Sequence, residues 1–477
     1  MYITFAAKKI EMEINWIQQI QTYFRNLVLG TVGTKRTLHE YLEKGNVGAA
    51  LSLLVNRDKD VDKALREYNP ELHDVMNRRN KAIEGDSPYI TEKLPRRREV
   101  YINEIELAFL LGNPIKWKKA EGDDDAYKLY LDYLKNTYFN SKIRRCKRYA
   151  GAETMSAILF HFHRTDGGKI GVDEFVAARQ TGYRIRYMHD HYGNLQVLAV
   201  GYYINDGRRT REKWDILTAE MNYECINAGI TLGWDVQRYP NPTGKINGIL
   251  FLQEKSWAGP ERRMRREEML DSRVGDVNNY FSDPMAMATA DVIENLPNRD
   301  KPGKLLQLTG KDSRFEYLNP PQDAATRQSE KKDLNDSILF DTFTPDLSFE
   351  KMKGMGTLSG DAIRNSLIIG YIKRANRMDI YEELIARYSH VVIAVLKQLH
   401  PEMAEKLDAL KVDFEFSDLF PDKRDELWNG IGSLYSSGVI SLETAVQLLS
   451  LTDAPEEEIR RIREQKNEEG GNIQPEQ

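Results

Sequence analysis

Hydrophobic residues recur at helical spacing through most of the chain, with one long interruption. Residues 1–57 read as short amphipathic helices. Leu42, Val47, Ala50, Leu51, Leu53, Leu54 and Val55 put one apolar face on the stretch 40–56. Asp60 to Arg66 reads as a charged helix, and Asn77-Arg78-Arg79-Asn80-Lys81 as a basic one. A helix then runs into Gly112-Asn113-Pro114, where proline stops the amide ladder. Asp123-Asp124-Asp125 closes a polar loop. Tyr127, Leu129, Tyr130, Leu134, Tyr138 and Ile143 predict one helix over 126–150.

Between 155 and 254 the period changes to two. Ile158 to His163, Tyr183 to His189, Leu195 to Tyr203, Trp214 to Thr218 and Ile249 to Leu252 predict strands. Asp166-Gly167-Gly168, Tyr192-Gly193-Asn194 and Asn205-Asp206-Gly207 supply turns, so the region reads as antiparallel. Helical spacing returns over 261–283 and 322–343, with two small strands expected at 305–309 and 314–318. Ser359 reads as an N-cap with Asp361 in the first turn, and an apolar helical pattern runs from Ile363 to Leu399. Such a helix would span about 55 Å and act as a structural spine. A strand at 411–416, short helices at 424–435 and 442–451, and a polar, disordered tail from 467 complete the chain. No internal repeat is present.

The 477 residues allow two to four units, and 41% hydrophobic content supplies a core. No apolar stretch approaches the ~20 residues of a membrane span, and the N-terminus lacks a leader pattern. Cys146 and Cys225 are too few for a disulfide framework or a Cys-rich zinc site, and fit a reducing compartment as buried thiols. A net charge of −5, from 68 basic and 73 acidic residues, excludes gripping nucleic acid with an overall basic surface.

Candidate chemistry is sparse. His161/His163 and His189/His191 are spaced to share a strand face, so a metal-dependent enzyme is one reading and half-exposed strand histidines the plainer one. There is no phosphate-binding glycine loop and no nucleophile elbow. Arg262, Arg263, Arg265 and Arg266 crowd one helix. They read as a charged lining or assembly surface, or as a solvated face with intrahelical pairs. Lys351 and Lys353 sit among glycines in a loop that could offer charge to a polyanion. No catalytic constellation stands out, which favours an assembly component. A helical interaction scaffold that forms no closed ring is the remaining reading.

The order of several segments resembles the siphophage-type portal family of tailed bacteriophages, from about residue 60 to residue 465. The segments are Asn80-Lys81-Ala82-Ile83 with Pro88-Tyr89-Ile90, and Phe109-Leu110-Leu111-Gly112-Asn113-Pro114-Ile115. They continue with Phe343-Thr344-Pro345-Asp346-Leu347, Ser359-Gly360-Asp361-Ala362-Ile363, residues 414–421, and Gly438-Val439-Ile440-Ser441-Leu442-Glu443-Thr444. Arginine richness and Gly275 in 261–281 depart from the family's more apolar stem.

The resemblance implies an α+β, mainly helical portal fold. Its parts would be a wing over 1–260 (helical, then β-rich from about 155), a first stem helix over 261–282 and a small α/β clip over 283–321. A second stem helix over 322–343, a tunnel loop over 344–358, and the long helix and return strand of the wing over 359–421 would follow. A helical crown over 422–466 and a disordered tail over 467–477 end the chain. The expected role is a ring of about twelve subunits at one capsid vertex, conducting double-stranded DNA in packaging and ejection, without enzymatic activity or cofactor. Expected partners are terminase large subunit, major capsid and scaffolding proteins, and a head-tail adaptor, with no membrane. The setting would be the virion, and the host cytoplasm during assembly. Lys351 and Lys353 would meet DNA, and Arg299, Lys301 and Lys304 would form a basic cluster in the clip.

Overall fold

The computed structural model describes residues 35–80, 89–164, 168, 170–205, 207, 209–229, 233–282, 286–289, 292–294, 307–309, 314–317, 324–349, 351, 353, 367–419, 424–449 and 455–470. The chain divides into two compact units, residues 1–416 and 417–477.

The first unit is built on two antiparallel sheets. Strands β1 (Val55–Asn56), β5 (Arg184–His189), β6 (Leu195–Asn205), β7 (Thr210–Leu217), β8 (Met221–Gly229) and β9 (Gly233–Pro240) lie side by side in that order. The second sheet has the order β10 (Gly248–Leu252), β3 (Met155–Arg164), β4 (Ile170–Ala177). Both faces of β6 are covered. Val197 and Ala199 pack with Leu38 and Leu42 of helix α1 (Lys35–Glu43) and Val47 of α2 (Val47–Ser52). Leu198 and Val200 pack with Ala157 and Leu159 of β3. The opposite face of β3, through Ile158 and Phe160, enters the main helical core. Burial on both faces explains why these strands are continuous apolar runs rather than alternating ones.

The helical core joins α4 (Arg98–Leu111), α5 (Asp124–Asn136), α6 (Phe139–Glu153) and α9 (Ile368–Leu399). Tyr381, Ile385, Tyr388, Val391, Val392 and Val395 give α9 its buried face at three- and four-residue spacing. Its 32 residues span about 48 Å. The expected start, 359–366, lies outside the described residues. Between α7 (Glu261–Ser282) and α8 (Ala324–Asp341), β11 (Ala286–Thr289) pairs with β14 (Arg314–Tyr317), enclosing the pair β12 (Val292–Glu294) and β13 (Gln307–Thr309).

Several expectations are corrected. No helix covers 77–80: after a short 3-10 turn at Asp74–Asn77 the chain turns extended at Arg78, because the Arg78 guanidinium reaches Asp276 instead. The stretch 40–56 is two helices and a short strand. The Asn46 side chain caps the second helix, and Val55 is exposed on β1. The helix expected over 126–150 breaks at Tyr138, which takes φ +55 and exposes its ring. The break lets Tyr130 and Phe139 both enter the core. Asp123 is an N-cap, accepting from the amides of Asp125 at 3.0 Å and Ala126 at 3.3 Å. The loop before it holds a strand, β2 (Lys116–Glu121), paired with β15 (Lys411–Glu415).

In the second unit, α11 (Arg424–Ser436), α12 (Leu442–Leu449) and α13 (Pro455–Gly470) gather Ile431, Ala445, Val446 and Ile459 into buried positions. The last helix runs to residue 470, past the start of the expected tail at 467. Residues 471–477 lie outside the described set.

Gly370 fixes how closely α9 approaches α4. A Cβ there would lie 2.4 Å from the buried Phe109 ring. Gly370→Ala is expected to cost about 1–3 kcal/mol, read as a lowered urea midpoint with unchanged m-value.

Candidate functional site: two charged helices and their buried junction

Helix α7 begins after Gly259-Pro260, with Glu261 in its first turn held by Lys255 at 2.7 Å. Met264 packs with Ile338 of α8, Ile102 of α4 and Trp257. Around this apolar contact run ion pairs between the helices. Arg263 pairs with Asp341, Arg266 with Glu330 at 2.7 Å, and Asp271 with Lys331 at 3.0 Å. Early residues of α7 thus meet late residues of α8, an antiparallel pair. Arg98 bridges both helices, forking onto Glu267 at 2.8 and 3.1 Å and reaching Asn335 at 2.5 Å.

The other flank of α7 carries an extended strap over 91–97. The Glu92 amide donates to Asp276 at 2.7 Å, the Leu94 amide to Ser272 at 2.9 Å, and the Arg96 amide to Glu268 at 2.9 Å. Alternate amides of an extended chain recur every ~6.6 Å, and residues four apart on a helix every ~6.0 Å. The two repeats match, so the strap runs antiparallel along the helix and satisfies its own amides. Gly275 fits here, since a Cβ would lie 3.0 Å from the Glu92 side chain. Gly275, one of the departures from an apolar stem pattern, is accounted for by this strap.

Beneath the strap, His73 meets Glu268 at 2.5 Å, with both side chains buried, and its other nitrogen meets the Glu67 carbonyl at 2.6 Å. Burial opposes a charge on His73, but the Glu268 contact and the nearby Glu99 raise its pKa. Burial raises Glu99 to about 7, although Arg265 lies 3.2 Å away.

A second buried cluster lies where α4, α6 and α9 meet. Glu106 and Lys147 are 2.5 Å apart with both side chains fully buried. Arg377 reaches the same carboxylate at 3.3 Å and Lys373 at 3.6 Å. Lys373 also donates to the Ser256 carbonyl at 3.3 Å and to Thr344 at 3.1 Å. Three cations therefore face one anion. Burial would raise the Glu106 pKa, but Lys147, Arg377 and Lys373 outweigh it and hold it at about 2. Burial lowers Lys373 to about 8, against the pull of Glu106. Tyr101 secures the same root from α4, donating to the Pro345 carbonyl at 2.8 Å and accepting from the Leu347 amide at 2.9 Å.

A family model described as "Phage portal protein, SPP1 Gp6-like" matches residues 56–472. The chain belongs to this portal family. No curated protein matches it. Among solved structures it is similar to a chain from the neck of an empty gene transfer agent (GTA) particle computed with C6 symmetry. The identity is 11% and the TM-score 0.41, over 84% of this chain and 95% of that one. It is also similar to a chain from the neck of the native GTA particle computed with C12 symmetry. There the identity is 11% and the TM-score 0.37, over 75% of this chain and 91% of that one.

In this portal-family chain the arginines at the start of α7 divide. Arg263 and Arg266 pair across to α8, Arg265 turns inward to Glu99, and Arg262 is exposed. Intrahelical pairing, one sequence expectation, is confined to Arg265 with Glu268 at 3.4 Å. Lys351 and Lys353 are exposed. Arg299, Lys301 and Lys304 lie outside the described residues. His161/His163 and His189 lie in separate sheets, His191 in the turn after β5, and His163 faces Asp173 at 3.3 Å. Among the described residues no group of three or more His, Cys, Asp or Glu side chains is placed to hold a metal.

The strap and the Glu106 cluster escaped the sequence reading, although each leaves a trace. Glu106 lies in an apolar run before Leu107, and Lys373 and Arg377 are four apart on a helix read as buried. Charges at core positions demand partners.

Glu106→Gln would leave Lys147 buried without its counter-charge. A loss of about 3–5 kcal/mol is expected by chemical denaturation. His73 and Glu99 both hold protons more tightly folded than unfolded. The Glu99 contribution is present at low pH and is lost as pH rises to about 7, and the raised His73 acts in the same direction. Stability is expected to fall as pH rises from about 4.5 to about 7, the range between the unfolded and folded Glu99 values, and Glu99→Gln to flatten that slope by up to ~1.4 kcal/mol per pH unit.

Proposed function

We propose that this chain is the subunit of a ring of about twelve copies that forms the portal at one capsid vertex and conducts double-stranded DNA. The carrying observation is the family match across 56–472. In this reading α7 and α8 are the stem helices, residues 283–321 the clip, 344–358 the tunnel loop and 422–466 the crown. Residues 1–260 and 359–421 form the wing, and 467–477 a tail.

The charge distribution suits a conduit. Each neutralised phosphate adds to DNA affinity, so a channel that lets DNA slide should hold few free cations. Arg263 and Arg266 are spent on α8 rather than offered to a polyanion. Lys351 and Lys353 remain exposed, at a point that a ring would repeat as a circle of charge. Arg299, Lys301 and Lys304 would meet DNA at the exit or an acidic partner. The role is structural, with no cofactor. Terminase large subunit would supply the energy and dock at the clip, followed by the head-tail adaptor. Major capsid and scaffolding proteins would surround the wing, in host cytoplasm during assembly and in the virion afterwards.

Negative-stain electron microscopy of the purified protein is expected to show rings with a central hole, near 660 kDa for twelve copies of 55.1 kDa. A monomer persisting across salt and concentration would overturn the conduit. Lys351→Ala with Lys353→Ala is expected to leave the rings intact and lower packaged DNA per particle. Unchanged packaging would remove these lysines from the reading.

A further inference from the structure

A cavity of about 340 Å³ opens between α9, the start of β6 and the loops at 219 and 245. Lys35, Lys245, Arg387 and His390 line it, together with Gln196, and no carboxylate does. Its floor is Leu195, Ile246 and Val391, which are 8%, 5% and 2% exposed.

The charges around this cavity do not balance. Lys35 is neutralised by Glu220 at 2.8 Å, and Gln196 is turned to Asp190 at 3.2 Å. Lys245 and Arg387 make no ion pair within 4 Å among the described residues. Glu383, one turn earlier on α9, is the carboxylate that attracts Arg387 through space. Burial nevertheless dominates and lowers the Arg387 pKa. The same guanidinium, after burial, depresses the neighbouring His189 against Asp190 and Glu383. A half-buried guanidinium with no carboxylate in contact is a cost that a bound anion would remove.

We propose that this cavity is a binding site for a phosphate-class oxyanion, held by Arg387 and Lys245 with His390 and Lys35 at its rim. Two cations in no ion-pair contact match the −1.5 to −2 charge of a phosphate group better than the single charge of a carboxylate. Arg387 supplies the planar fork that phosphate oxygens accept, and Lys245 a point charge. An acidic peptide finds little foothold, because the floor residues expose almost no apolar surface. The space left beside one phosphate admits the organic part of a phosphomonoester or a stretch of nucleic-acid backbone. None of its lining residues belongs to α7, α8 or the loop carrying Lys351.

Isothermal titration calorimetry at fixed ionic strength tests this with three probes, inorganic phosphate, a short DNA duplex and poly-glutamate. The duplex arm uses a Lys351→Ala/Lys353→Ala background. The wild-type site is expected to bind inorganic phosphate saturably, and Arg387→Gln with Lys245→Gln to weaken it about ten- to hundredfold. Lys245 is exposed, so Lys245→Gln alone reports on the site if the double variant unfolds. Duplex binding lost in the same variants, with no response to free phosphate, identifies nucleic-acid backbone as the source. Equal binding by variant and parent, no response to either probe, or a response only to poly-glutamate overturns the proposal.

Discussion

The single negative charge of Glu106 organises the junction of the first unit. A buried carboxylate facing three cations cannot be left out without stranding them, and the cations come from different places. Lys147 belongs to α6, and Lys373 and Arg377 to α9, while Glu106 itself stands on α4. Lys373 passes the connection on to Ser256, just before α7, and to Thr344, just after α8. One ionic contact thereby sets the positions of the long helix and of both roots of the charged pair. The surplus of positive charge is why Glu106 is held so far below the usual carboxylate range, and burial, aided by Lys147 and Arg377, is why Lys373 loses its proton more readily than a surface lysine.

The charged pair is bound unequally on its two flanks. Arg263 and Asp341 are 48% and 38% exposed, and contacts of that kind are worth roughly 0.2–1 kcal/mol each. Glu267 and Glu268 are almost wholly buried beside the strap, where charge-assisted bonds are worth about 1.5–3 kcal/mol, and the buried Ser272 adds a neutral one. The strap flank therefore carries more of the cohesion. The α8 flank can exchange its ion pairs at little cost.

Periodicity exposed much of this architecture in the sequence. The short apolar runs bounded by turn residues over 155–254 and the apolar face of α9 are local signals, and they survive because burial acts on each position separately. What stayed hidden depends on residues far apart in the chain. Strand β2, rich in lysine, has weak local preference and exists because Phe414 and Val412 of β15 lie beside Trp117 and Lys119. The basic stretch at Arg78 reads as a helix until Asp276, almost two hundred positions later, draws its guanidinium away. Of the candidate residues, the arginines of α7 were legible as a group. Their sorting into outward, inward and cross-helix roles required the positions of Asp341, Glu330 and Glu99. The family resemblance rested on ordered short motifs, which record the fold without revealing the contacts that hold it.

The strap and α7 meet with pitches of ~6.6 and ~6.0 Å, which agree over three contacts but would drift out of step over many. Such a joint behaves as a short rack and pinion. Slipping the strap by one residue presents carbonyls where amides should be. Slipping it by two, against one helical turn, restores two of the three donors to acceptors and leaves the third facing position 264 or 280. The register is thus locked by three acceptors with no fourth carboxylate at 264 or 280, and any tilt of the helix must drag residues 91–97 with it as one piece.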